Sequence, residues 1–176
     1  INKEPDPRAQ VPKAALLTAA FFISSLIHIP VPPVSLHLVL SGLMGVILGY
    51  YAFPAILIGL VFQAIMFQHG GLTTLGLNAR IMGFPAILAH HLFQLHKLNK
   101  NGGNIWLGTG GCIAGALGLG FAVLLFVGIM VTFIPAGIDA ATERSAILTA
   151  STFYLPIIAI EGFFTALLVT YLHRVK

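Results

Sequence analysis

The chain has 176 residues, of which 57% are hydrophobic and only 8% are Asp, Glu, Lys or Arg. A soluble domain carries roughly a quarter charged residues to solvate its surface, so this composition excludes one and predicts an exterior that faces lipid. The net charge of +4 rests on few groups and points to no nucleic-acid partner, because basic residues at helix ends are the usual membrane pattern.

A hydrocarbon core about 30 Å thick takes roughly 20 apolar residues per helical crossing. The length therefore predicts an all-α fold, a polytopic membrane helix bundle with six transmembrane helices forming one domain over residues 1–176. The opening stretch to Lys13 is polar and Pro-rich, begins with Ile rather than Met, and has no charged-then-apolar presequence.

The first span is expected from about Lys13 to Ile29, closing at Pro30-Val31-Pro32-Pro33, since proline lacks the amide a helix interior needs. The second runs from about Ser35 to Tyr50. Tyr50, Tyr51 and Phe53 form an interfacial aromatic cluster, with Pro54 placed to open the third span, which ends near Gln68. His69 to Asn78 is polar and Gly-rich and reads as a re-entrant or surface loop. The fourth span covers about Arg80 to Leu95, and the long, Gly-rich fifth about Ile105 to Ile134. Pro135 to Arg144 reads as a polar loop, and the sixth span, about Ser145 to His173, is interrupted by Pro156.

With the N-terminus inside, one face receives Lys3, Arg8, Lys13, Lys97, Lys100, Arg174 and Lys176, and the other only Arg80 and Arg144. That asymmetry places both ends of the chain in the cytoplasm.

The same topology sorts the histidines. His28, His37 and His69 fall at the external ends of the first three spans, and His90, His91, His96 and His173 near cytoplasmic ends. Neutral imidazole ligates nickel, cobalt, copper and zinc, so three at one membrane face could hold such an ion. A histidine at a helix end also commonly binds only headgroups or water, and no two of the external three lie one helical turn apart. The inner cluster resembles a single histidine box of membrane di-iron enzymes; beside Lys97 and Lys100 it reads more simply as a basic belt.

Glu161 lies mid-span between Ile160 and Gly162, where an ionised group is expensive and usually faces the bundle interior. A proton or cation relay and a protonated, hydrogen-bonded structural carboxyl are both open. Ala15-x-x-x-Ala19 and Gly111-x-x-x-Gly115 let helix backbones approach closely. Both suit packing within the bundle, and the first could instead dock a second membrane protein. Cys112, the single cysteine, cannot form an internal disulfide. The chain has no G-x-x-x-x-G-K-[ST] phosphate loop, no G-x-S-x-G elbow and no H-E-x-x-H zinc motif. Any energy for uphill transport would come from ions or a partner, so no enzyme activity is expected here.

Three strings are more specific. Val61 to Asn78, containing His69-Gly70-Gly71-Leu72-Thr73-Thr74-Leu75-Gly76, resembles the signature of the cobalt and nickel substrate-binding components of energy-coupling-factor transporters, the CbiM/NikM family. Val34-Ser35-Leu36-His37 through Gly42, and Glu161-Gly162-Phe163, resemble the same family. The resemblance implies external capture of Co²⁺ or Ni²⁺ as transported substrate, with no organic cofactor. It also implies work with a transmembrane coupling (T) subunit and two cytoplasmic ATPases in the lipid bilayer of a prokaryotic cell membrane.

Nitrogen ligation in a near-planar site, as Ni(II) prefers, is implied as well. One ligand source is a Met-His sequence at the extreme N-terminus; the other is a histidine matched here by His37. His69 joins it as a candidate metal residue, with Ser35 and Asn78 as groups that would orient the site. The family begins Met-His-Ile on an extra, externally starting helix, which this sequence does not show. That helix would be a seventh span, supplied upstream or by a separate chain or small accessory membrane protein. Two other readings remain: a vitamin-type uptake subunit, which needs an apolar external pocket, and a membrane metalloenzyme built on His90, His91 and His96.

Overall fold

Inside a bilayer a lipid-exposed backbone satisfies its amides within a helix or around a closed barrel, and apolar runs of this length select the helix. The computed structural model of the chain describes residues 7–31, 34–37, 39–67, 71–98 and 103–175. Seven α-helices organise them: α1 (Pro7–Leu26), α2 (Ser41–Leu48), α3 (Ala52–Phe67), α4 (Leu75–Gln94), α5 (Asn104–Thr132), α6 (Ala140–Thr152) and α7 (Tyr154–Arg174). Among the described residues, three stretches are long and apolar enough to cross a membrane: Ser41–Phe67, Asn104–Thr132 and Ala140–Arg174. α1 carries a shorter apolar run, Gln10–Leu26.

The main departure from the all-helical expectation follows α1. β1 (His28–Val31) and β2 (Val34–His37) pair as an antiparallel hairpin, in the register His28 with His37, Ile29 with Leu36, Pro30 with Ser35 and Val31 with Val34. Proline prevents helix continuation, while Ile29, Val31 and Val34 are β-branched and favour extended backbone. Pro30 is tolerated because each strand of a two-stranded ribbon has a free edge. Pro32 and Pro33 lie outside the described residues.

The second helix consequently starts at Ser41, not near Ser35. Its eight residues rise only about 12 Å, less than half the hydrocarbon core, so α2 alone does not cross. It is instead enclosed, with Ser41, Gly42, Leu43, Met44, Gly45, Val46 and Leu48 all buried among α4, α5 and α7. Gly49, at φ 61°, ends it in a conformation glycine reaches without steric cost. A single 3₁₀ turn, Gly49–Tyr51, then leads into α3.

Other boundaries shift too, starting with α1, which begins at Pro7 and not near Lys13. α4 begins at Leu75, so Asn78 is helical and not in a loop. α6 begins at Ala140, taking in the end of the expected 135–144 loop, because Asp139 caps it by accepting the Ala141 amide at 3.2 Å. The expected sixth helix divides at Phe153, and Pro156 falls in the first turn of α7, where a missing amide donor is harmless.

The core is built from Phe21, Leu43, Met44, Ile56, Leu119 and Ile147, each almost wholly enclosed. Ile105, Leu124, Phe133 and Phe163 point outward, as lipid-facing side chains do. The Gly111-x-x-x-Gly115 face meets α7, where a Cβ on Gly111 would lie 3.4 Å from Ala166 Cα.

Candidate metal site

β2 carries two of the residues singled out for metal capture. In the hairpin register His37 stands opposite His28 and Ser35 opposite Pro30. His69 lies outside the described residues. Asn78 is half-buried on the first turn of α4, its amide nitrogen donating to Thr74 Oγ1 at 3.5 Å.

Three residues beyond His37 the chain is tied into the bundle. Leu40 adopts φ 55° and ψ 18°, a left-handed conformation that costs a non-glycine residue on the order of 1–3 kcal/mol. Its amide donates to Glu161 Oε2 at 3.0 Å, and the Gly42 amide donates to Glu161 Oε1 at 2.8 Å. Glu161, on α7, is fully buried. A carboxylate from a distant helix therefore caps the open N-terminus of α2, whose own N-cap side chain makes no such bond. Free amides and the helix dipole both favour an anionic acceptor at this point. Ser41 Oγ, buried beside these amides, has no partner among the described residues.

Close backbone approach makes this cap possible. A Cβ on Gly42 would fall 2.4 Å from Gly115 O, so α2 and α5 touch through their main chains. A Cβ on Gly115 would fall 2.5 Å from Thr165 Oγ1 on α7. A larger residue at Gly42 would push α2 away from α5, and one at Gly115 would push α5 away from α7, the helix that carries Glu161.

A second buried polar link holds the other side of the hairpin. Gln63 Nε2 on α3 donates to Ser25 Oγ on α1 at 2.6 Å, and Ser25 Oγ donates to Phe22 O at 2.6 Å. Sequence reasoning missed both residues; a glutamine inside the apolar run Leu60–Phe67 was the available signal. The hairpin was missed as well, although two β-branched segments flanking Pro32-Pro33 could have suggested it.

The remaining residues lie elsewhere. Ala15 and Ala19 are exposed on α1 and line an apolar groove against α3 with Phe22, Ile58, Phe62 and Met66. His90, His91 and Tyr50 form an aromatic group with ring centroids 5.3–5.6 Å apart. Tyr50 Oη meets His91 Nε2 at 3.3 Å, and His90 Nε2 meets Gln94 Nε2. His96 stacks on Phe93 and bonds its carbonyl through Nδ1. Among the described residues, no group of three or more His, Cys, Asp or Glu could hold a metal ion.

Over residues 1–176 the chain matches the CbiM family model, described as the cobalt uptake substrate-specific transmembrane region. The chain belongs to the CbiM family. The cobalt transport protein CbiM of Sorangium cellulosum is 30% identical over 145 residues, covering 70% of this chain and 63% of that protein. A Haemophilus influenzae relative is 47% identical over 85 residues, covering 48% of this chain and 41% of its own. These alignments span less than two thirds of each relative's length. The fold matches a structure described as a truncated transition metal transporter, with a TM-score of 0.79, 22% identity, and coverage of 99% of this chain and 85% of that one. CbiM membership makes this a membrane protein of a metal-transport family, in keeping with its long apolar helices.

Proposed function

We propose that this chain is the substrate-capturing (S) component of an ATP-driven energy-coupling-factor importer for Co²⁺ or Ni²⁺. The ion is taken at the external face by imidazole nitrogen, with His37 as a direct ligand and His69 as the second metal residue. Ser35 and Asn78 orient the site. The nitrogen set is completed by an N-terminal Met-His segment of the intact protein or of a separate helix. A transmembrane coupling subunit and two cytoplasmic ATPases supply the energy, and this chain itself hydrolyses nothing. Its place is the prokaryotic cell membrane, which it crosses several times.

One observation carries the reading. In a chain matching a cobalt-uptake family throughout its length, His37 stands on a strand whose continuation is pinned by Glu161. A ligand held by backbone anchored to the bundle loses little freedom on binding a metal. Imidazole suits both ions, and bound metal would order the outer loops before the partners reorient the bundle.

The test is calorimetric titration of Co²⁺ and Ni²⁺ into detergent-purified protein carrying its native N-terminus, with His37→Ala beside it. Tight binding that His37→Ala abolishes is the expected result. Failure of the intact protein to bind either ion would overturn the proposal.

A further inference from the structure

α5 and α7 run antiparallel, with their backbones close where Gly111 meets Ala166. Toward the Arg174 end of that seam the helices part around a groove of about 380 Å³, within the roughly 300–1,000 Å³ of ligand sites. Two stripes at i, i+4, i+8 spacing face it: Asn104, Gly108 and Cys112 from α5, and Ala166, Thr170 and Arg174 from α7.

The groove is apolar inside and charged at its mouth. The Thr109 hydroxyl donates to Trp106 O at 3.0 Å and the Thr170 hydroxyl to Ala166 O at 2.7 Å, so each is engaged on its own helix. From Asn104 to Cys112 the groove descends about 12 Å of helix, which fits within one leaflet of a hydrocarbon core about 30 Å thick. Over that length its volume gives a cross-section of about 30 Å², well under that of a helix about 10–12 Å across. An acyl chain fits within it and a partner helix does not. At the mouth stand Asn104 and Arg174, both exposed. On the topology expected from the basic residues, the mouth opens on the face carrying most of the chain's Lys and Arg.

No described acid can reach that arginine. Glu161 is turned to Leu40 and Gly42. Asp139 and Glu143 sit at the start of α6, past the far end of α5, about 40 Å of helix from Asn104. These three are the only acids among the described residues. A neutral chain would fill the groove without using the charge, and a small soluble anion would use the charge without the groove. A molecule that uses both has an anionic head and an apolar tail. The guanidinium fork matches phosphate oxygens, and basic pockets between transmembrane helices take anionic headgroups.

We infer that the α5/α7 groove binds one anionic phospholipid, its phosphate held by Arg174 and Asn104 and one acyl chain lying over Gly108, Cys112 and Ala166. Bound there, the lipid would brace α7, the helix that carries Glu161, against α5.

The experiment places the intact protein in nanodiscs of phosphatidylcholine containing a minor fraction of phosphatidylglycerol and counts retained lipid by native mass spectrometry. Wild type is compared with Arg174→Gln, Arg174→Lys and Thr109→Phe. One interfacial arginine is worth about fivefold in affinity for an anionic lipid. Arg174→Gln should lose the preference for phosphatidylglycerol by about that factor, and Arg174→Lys should keep most of it. Thr109→Phe fills the groove from its exposed wall and should release lipid of either headgroup. Phosphatidylglycerol carrying a diazirine on its acyl chain should cross-link to 104–112 and 166–174 in wild type.

Equal retention of the two lipids by wild type, or an undiminished preference in Arg174→Gln, would overturn the site and leave Arg174 serving its own helix end. Undiminished retention in Thr109→Phe would overturn it as well, because no chain would then lie in the groove. If a variant melts early, the wild-type cross-links decide. Adducts concentrated on those two segments support the site. Adducts spread over the lipid-facing helices, or kept from the seam by a protein partner, overturn it.

Discussion

Glu161 Oε1 accepts the Gly42 amide at 2.8 Å across 119 residues of sequence, while Oε2 takes Leu40. One side chain thus caps a buried half-helix and fixes the strand that precedes it. Removing it leaves buried amides unsatisfied, at about 1–3 kcal/mol each, together with a cavity. Glu161→Ala is expected to destabilise by about 2–5 kcal/mol. Glu161→Gln, which keeps the volume and one acceptor, should cost less. Thermal unfolding in detergent reads both, and amide exchange at Leu40 should rise in each. Wild-type stability in both variants would show that the cap does not hold α2.

Gly42 and Gly128 make a paired test of backbone approach. A methyl on Gly42 would meet Gly115 O at 2.4 Å, whereas nothing lies within 4 Å of one on Gly128. Gly42→Ala should destabilise by about 1–3 kcal/mol through overpacking and weaken metal binding with it. Gly128→Ala, mid-helix, should be neutral or stabilising by up to about 1 kcal/mol. Melting temperatures of the two side by side give the answer.

Ser25 and Gln63 should behave as a coupled pair. Ser25→Ala strands the Gln63 amide in a buried site and should cost about 1–3 kcal/mol. Gln63→Leu with Ser25→Ala removes both polar groups and should cost less than the sum of the single changes. Additive losses in a double-mutant cycle would mean that the 2.6 Å bond carries little coupling.

The inner histidines should not matter for capture. Their rings are engaged with Tyr50, Gln94 and Phe93. His91→Phe and His96→Phe are expected to leave Co²⁺ and Ni²⁺ affinity unchanged within about twofold, in contrast to His37→Ala. Loss of binding, or stoichiometric iron in purified protein, would favour the metalloenzyme reading.

Asp139 gives a pH dependence confined to the start of α6. The Thr142 hydroxyl, then the Ala141 amide, hold its carboxyl below its ordinary value. A depressed pKa contributes stability that is present above the unfolded value and lost as pH falls through the folded one. Protection factors of the first α6 amides should therefore be constant near neutrality and drop only below about pH 4. Asp139→Ala should lack that step.

Much of this protein follows from residues read in order. Hydrophobic runs of about 20 residues with few charges decide a membrane helix bundle, because a lipid-facing helix satisfies its backbone amides within its own segment. Glu161 stood out because an acid between Ile160 and Gly162 demands a partner, and Gly111-x-x-x-Gly115 announced a close helix contact. His37 was found by resemblance to a family motif.

Tertiary structure alone decided the partners. Nothing local to Glu161 names Leu40 and Gly42, since a buried carboxylate takes whatever amides the fold brings within 3 Å. The short, enclosed α2 likewise reads as a lipid-crossing span by composition. Only the glycine contacts with α5 and the cap from α7 reveal it as the buried element that pins the candidate metal strand, because packing distances, not hydropathy, separate a core helix from a spanning one.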